Sequence, residues 1–237
     1  FSILAVDRNN VKWFVSTSGV SSFDDAGGWT DHTSGIRAAD SEPHYWSFVG
    51  ILFGRNGAVW VPSVHGLYSY NGTSWKYHMG GNGVNLADEF WKTSSSGECI
   101  GAEDRDGVLW LASGQGVITF DGSEWRRYTA ADGLASDRIN CMTVDTDNIK
   151  WFGTDKGVCS FDGKHWKTYT ASDGLTADEV LSMAIDPDNR KWFGFRNGLS
   201  RFDGVSGQTW SNFADLPASS IRQIETGSDG SVWVQTG

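Results

Sequence analysis

Two short stretches gather the side chains best suited to hold a ligand. Glu42, His44, Tyr45 and Trp46 stand together in "SGIRAADSEPHYWSF" (residues 34–48), and Asp88, Glu89, Phe90, Trp91 and Lys92 in "GGNGVNLADEFWKTSSSGE" (80–98). Adjacent aromatic rings flanked by carboxylates, an imidazole and an amine suit a sugar, which has apolar faces to stack and hydroxyls to hydrogen-bond. The same aromatics would equally serve to anchor their own loops, and both readings stand at this point. A third stretch, "DTDNIKWFGTDKG" (145–157), opens with Asp145-x-Asp147-Asn148, the spacing of a calcium loop. Such a loop needs about a dozen residues of converging oxygens. Here a strand tryptophan, Trp151, follows almost at once. The aspartates are therefore expected to shape a turn, and no metal site is expected.

Covalent and acid–base chemistry finds little footing. There is no serine elbow, no HExxH and no phosphate-cradling glycine loop, and His32, His44, His65, His78 and His165 are scattered. A polysaccharide lyase or hydrolase built on Glu42, His44 and Tyr45 is the enzymatic alternative; otherwise no catalytic residue and no cofactor is expected. Cys99, Cys141 and Cys159 are an odd set without a CxxC pair and are expected to be buried, inert thiols.

What would position these residues is a repeat. Trp13, Trp60, Trp110, Trp151, Trp192 and Trp233 are separated by 47, 50, 41, 41 and 41 residues. A near-fixed period of this size marks a solenoid, propeller or array. Four residues before each tryptophan stands Asn or Asp, followed by Asn10, Gly57, Gly107, Asn148, Asn189 or Gly230. Asn and Gly tolerate positive φ and so close tight hairpins. Six residues after five of the tryptophans comes a glycine (Gly19, Gly66, Gly116, Gly157, Gly198). An aromatic with an Asp or Asn turn and a second tryptophan (Trp29, Trp75, Trp125, Trp166, Trp210) complete the unit. "VLSMAID", "KWFGF", "LSRFD" and "TWSNF" then read as strands a, b, c and d.

Four-stranded units at a period near 41 fit an all-β fold, a β-propeller of four-stranded antiparallel blades. One propeller domain over residues 1–237 is expected, with blades at about 1–33, 46–78, 98–129, 139–170 and 180–213 and a partial sixth at 221–237. Strands c and d of that sixth unit are not in the sequence, so a further segment of the chain or a partner's strand is expected to complete it. Eleven of the thirteen tryptophans sit at repeat positions and are expected to be buried, leaving Trp46 and Trp91 as the exceptions.

The pattern D-x-[DN]-[GN]-x-x-W-[FLV]-x-[TS]-x-x-G-[VL]-x-x-[FY]-[DN]-G, followed by W-x-x-[YF] and "DGL", resembles the two-component regulator propeller repeat. "DTDNIKWFGTDKGVCSFDGKHWKTYTASDGL" and "DPDNRKWFGFRNGLSRFDG" carry it best, while the first two units are degraded, with Gly54 in place of the first aspartate. The resemblance implies a non-enzymatic ligand- or protein-binding module, periplasmic or at the cell surface, that senses glycans. The alternative is a scaffold subunit mediating protein contacts. In a propeller the d–a connections share a face with the b–c turns, which adds His65, Gln115, Lys156, Arg196 and Asn197 to the candidate ligand face.

Charge sets limits on partners. A net charge of −10 argues against nucleic acid, and no apolar run approaches the length of a membrane span. "NGT" at 71–73 is a glycosylation sequon, but it coincides with a c–d hairpin turn, which explains it adequately.

Overall fold

The computed structural model describes residues 2–16, 19–40, 48–86, 101–203, 210–213 and 220–237. They form two compact units, Phe1–Gly114 with Ile118–Arg126, and Gln115–Val117 with Arg127–Gly237. Among the described residues there are five four-stranded antiparallel sheets and one of two strands, each laid out in chain order.

The first sheet is β1 (Ser2–Val6), β2 (Lys12–Ser16), β3 (Gly19–Asp24) and β4 (Gly28–Asp31). The second is β5 (Leu52–Phe53), β6 (Val59–Ser63), β7 (Gly66–Tyr70) and β8 (Trp75–His78). The third is β9 (Gly101–Glu103), β10 (Leu109–Ser113), β11 (Gly116–Phe120) and β12 (Trp125–Tyr128). The fourth is β13 (Ile139–Val144), β14 (Lys150–Thr154), β15 (Gly157–Phe161) and β16 (Trp166–Tyr169). The fifth is β17 (Ser182–Ile185), β18 (Lys191–Phe195), β19 (Gly198–Phe202) and β20 (Trp210–Phe213). The last pair is β21 (Ile221–Thr226) and β22 (Val232–Thr236).

The turns take the form their residues dictate. Asn10, Asn148 and Asn189 adopt φ of 63°, 65° and 62°, and Gly57, Gly107 and Gly230 take their place at 85°, 79° and 82°. Only residues that tolerate the left-handed region serve there. The connectors before the fourth and fifth sheets are short 3-10 turns, Ala130–Asp132 and Ala171–Asp173, each closed by a capping box from Thr129 or Thr170. Gly133 ends the first of them at φ 122°, and a Cβ there would lie 2.7 Å from the Trp166 side chain. The glycine is required twice over, by its φ and by the ring against it.

Packing runs from sheet to sheet within each unit. In the first unit Trp13, Val15 and Val20 pack with Val59, Val61 and Tyr68, and Leu67 with Leu109, Leu111 and Ile118. In the second unit Trp151 and Val158 pack with Phe193 and Phe202, and Trp192 with Ile221 and Ile224. Strands covered on both faces lose the usual alternation: every residue of β14 and β15 is buried. By contrast β2 alternates, with Trp13 and Val15 buried and their neighbours partly exposed.

Two expectations fail here. Trp29 and Trp233 are 65% and 70% exposed, although both hold repeat positions. A repeat tryptophan is buried where a neighbouring repeat covers it, and these two stay largely exposed among the described residues. The stretch 34–48 is also not loop throughout. Thr33–Ala39 is a short helix, α1, with Ile36 fully buried. Asp40 at its end is buried and accepts a 2.7 Å hydrogen bond from the Tyr68 hydroxyl.

Candidate functional site

The aspartates that suggested a metal have another occupation. Asp145 Oδ1 accepts from the backbone N–H of Asp147 at 2.8 Å and of Ile149 at 2.9 Å, closing the a–b hairpin. Its Oδ2 accepts from the Trp151 indole at 2.9 Å and lies 2.9 Å from Lys191 Nζ. Burial opposes ionisation of Asp145, but the bonds from Lys191, Trp151 and Ile149 outweigh it and hold the carboxyl below its ordinary range. Asp7, Asp104 and Asp186 take up the indoles of Trp13, Trp110 and Trp192 in the same way, at 3.1, 2.9 and 2.9 Å. The sequence pattern places Asp145 in a turn and does not by itself disclose its bond to the indole. The constant offset of six residues from Asp to Trp was the signal.

Where the aspartate is missing, the indole finds a substitute. Gly54 stands at the second turn, and Glu103 Oε2 from β9 accepts from Trp60 Nε1 at 3.1 Å. Gly227 stands at the last, and Trp233 Nε1 donates to Ser231 Oγ at 3.1 Å.

The loop residues are distributed as follows. Glu42, His44, Tyr45, Trp46, Glu89, Phe90 and Trp91 lie outside the described residues. The described parts of both insertions pack inward: Ile36 in the first, Val84 and Leu86 in the second. His65 is half-buried, its N–H bonded to Ser63 Oγ and its carbonyl accepting from the Tyr77 hydroxyl. Gln115 Oε1 accepts from Arg127 at 3.2 Å, which ties that tip to strand d.

The second unit brings a b–c tip and a d–a connector together. Arg196 Nε lies 2.9 Å from Glu179 Oε2, with the arginine side chain 66% exposed. The bond from Arg196 holds the Glu179 carboxyl below its usual value, with Arg138 adding to the effect and Asp155 opposing it. Lys156 and Asn197 are exposed at the neighbouring tips. Arginine, lysine, carboxylate and amide groups thus sit on b–c tips and connectors that the hairpin clasps leave unused.

The first unit has a shallow cleft of about 290 Å³ that sequence reasoning did not anticipate. Lys76, His78, Met79, Asn82, Ser123 and Trp125 are among its lining residues. The His78 ring shares a 2.8 Å hydrogen bond with Ser69 Oγ, and burial, then Lys76, lowers its pKa to about 4. It is a neutral packing group. Elsewhere, Cys141 and Cys159 are free thiols whose desolvation raises their pKa, to about 12 for Cys141, so neither is a ready nucleophile.

No family model matches this sequence, and no curated protein matches it. Solved structures do. The extracellular domain of the hybrid two-component system BT3049 from B. thetaiotaomicron aligns over 98% of this chain at TM-score 0.72 and 16% identity. The all-β fold of four-stranded antiparallel sheets is shared with that extracellular domain. This chain spans 32% of that domain. Virginiamycin B lyase from Staphylococcus aureus aligns over 98% of this chain and 76% of its own length, at TM-score 0.71 and 14% identity. PorZ, a surface component of the type-IX secretion system of Porphyromonas gingivalis, aligns over 99% and 37%, at TM-score 0.67 and 14% identity. A sensor, an enzyme and a secretion component share one architecture, so the fold does not select among their functions. No helix among the described residues is long and apolar enough to cross a membrane.

Proposed function

We propose that this chain is a non-enzymatic recognition module of an extracytoplasmic protein, in which each sheet is one blade of a propeller and β21–β22 begin a sixth. Its ligand is a glycan or a protein surface, bound on the face that carries the b–c turns and the d–a connectors. The observation that carries this reading is the Arg196–Glu179 pair, which places two charged groups from different elements side by side at the surface. Conserving the blade does not require them. The a–b aspartates, by contrast, are consumed by their own hairpins and indoles. Likeness to the extracellular domain of a two-component system supports the location and the recognition role. Tyr45, Trp46, Phe90 and Trp91, with Glu42, His44 and Glu89, remain proposed ligand-binding residues of the first unit.

The test is retention of the purified chain on a panel of immobilised plant and microbial polysaccharides. The expected result is retention on at least one, reduced tenfold or more by Arg196→Ala with Lys156→Ala, at unchanged melting temperature. Release of shortened, unsaturated products would turn the assignment to a lyase. Retention on none of them would leave the glycan reading without support.

A further inference from the structure

The first sheet has one face prepared for a neighbour that none of the described residues supplies. In the fifth sheet Met183, Ile185, Phe193 and Phe202 pack on Trp151 of the fourth. In the second, Ile51, Phe53, Val61 and Tyr70 pack on Trp13 of the first. These residues stand at the same offsets from their own b-strand tryptophan, nine and seven before it, one and ten after it. In the first sheet those offsets hold Leu4, Val6, Phe14 and Phe23. Leu4 and Val6 are 62% and 52% exposed, and Phe14 and Phe23 are covered only in part.

Two further groups on this sheet lack the partner their equivalents have. Lys191, which precedes Trp192, reaches back to Asp145 of the preceding sheet and lies over the Trp151 ring. Lys12, which precedes Trp13, pairs with Asp25 of its own c–d hairpin at 2.6 Å. In d strands, Trp75 and Trp166 are each covered by a glycine of the connector before their sheet, Gly35 and Gly133, where a Cβ would lie 2.8 and 2.7 Å from the ring. Among the described residues, the Trp29 ring packs against Phe14 and Phe23 of its own sheet, at 4.9 and 5.2 Å between ring centres.

We propose that this face is a docking surface for one further repeat of the same construction, carrying an aspartate at its a–b turn. The occupant is fixed by complementarity. Lys12 calls for a carboxylate from the preceding turn, Leu4 and Val6 for a b-strand tryptophan, and Trp29 for a connector glycine. A second copy of this chain offers the wrong surface. Its last turn has Gly227 where the aspartate belongs, and Trp233 is bonded to Ser231. An uncovered patch of this size and aromatic content is otherwise an association hazard.

The experiment adds residues 139–179, one complete period, directly ahead of Phe1, and reads side-chain exposure by hydroxyl-radical footprinting with mass spectrometry. The fused repeat brings its own Trp151, Asp145 and Gly174 to this face. Oxidation of Leu4, Val6 and Trp29 is expected to fall severalfold, with Trp233 unchanged as the internal reference, and the melting temperature to rise. Asp145→Gly in the added copy alone should remove part of that rise. Unchanged oxidation of Trp29 in the fusion would overturn the proposal. So would an added repeat that exchanges its amides as an unfolded segment while the rest stays protected. A chain 1–237 that sediments as a dimer with Trp29 already shielded would make the occupant a second copy instead.

Discussion

Lys191 Nζ lies 2.9 Å from Asp145 Oδ2, and the two side chains, from adjacent sheets of one unit, are 5% and 0% exposed. The same aspartate holds its own hairpin and the Trp151 indole, while Lys191 also donates to the Asn189 carbonyl at 2.8 Å. Beside it, Asn189 Nδ2 donates to Asp147 Oδ2 at 2.8 Å. One carboxylate therefore ties turn, strand and neighbouring repeat together. A buried charge pair of this kind is weak evidence of net stabilisation, but removing one partner strands the other.

Asp145→Ala leaves a buried ammonium, an indole N–H and two turn amides without their acceptor. The expected loss is about 3–5 kcal/mol of unfolding free energy, measured by urea titration of the intact chain. Asp147→Ala, at the exposed tip of the same turn, should cost under about 1 kcal/mol. Equal losses from the two would mean that the clasp is not what holds this turn.

Glu103 offers a test of the same idea by repair. Gly54 leaves the second turn without an aspartate, and Glu103 bonds both Trp60 Nε1 and the Arg55 N–H. A Cβ on Gly54 would lie 2.4 Å from the end of the flexible Glu103 side chain, with Asn56 Oδ1 at 3.1 Å and Ala58 Cβ at 3.3 Å. Glu103→Ala should therefore cost about 1–3 kcal/mol through the unsatisfied indole, and Gly54→Asp should restore most of it. Additive effects in this double-mutant cycle would show that the two carboxylates do not substitute for each other.

The turns and strands were legible because each rests on local chemistry that the repeat displays several times. Asn148 and Gly107 announce the same left-handed corner, and "KWFGF" reads as a strand wherever it stands. The clasp was half legible. Its aspartate was visible as a turn residue, but its bond to the indole spans six positions and its ion pair joins two repeats. Helix α1 was missed because seven residues with Gly35 among them and one buried apolar position, Ile36, give no helical period. Its docking depends on that glycine letting the helix approach Trp75, which is a tertiary fact. Trp29 and Trp233 were misjudged because burial belongs to a pair of repeats, not to a position within one. Of the candidate ligand face, the exposed tips were legible from their variation, but the partnership of Arg196 with Glu179 was not, since 17 residues separate them.

Gly133 gives a sharper contrast than most core positions. Its φ of 122° and the Trp166 ring against it exclude any side chain. Gly122, at φ 97° in an open c–d turn, has no atom within 4 Å of a hypothetical Cβ. Gly133→Ala should destabilise by more than about 2 kcal/mol, and Gly122→Ala by about 1 kcal/mol from backbone strain alone. Similar melting temperatures for the two variants would mean that the Trp166 contact yields without cost.

Acid should weaken the fold in two stages, and His78 sets the first. An ordinary histidine titrates near 6.5, whereas in the fold burial, and then Lys76, brings His78 to about 4. Between those values the unfolded chain binds a proton that the folded chain does not, so stability rises with pH across that window. The contribution is complete above pH 6.5 and is lost as pH falls toward about 4. His32, also lowered chiefly by burial, acts in the same direction. The second stage belongs to Asp145 and Asp186, whose hydrogen bonds outweigh burial and hold both carboxyls below 3.8. Their contribution is present above that value and disappears as pH drops through their folded-state values. His78→Gln keeps a hydrogen-bond partner for Ser69 without a titrating ring. Melting curves from pH 8 to 3 should therefore show a shallower decline between pH 6.5 and 4 in this variant than in the parent chain, and an equal collapse below it. Parallel curves throughout would remove His78 as the source of the first stage.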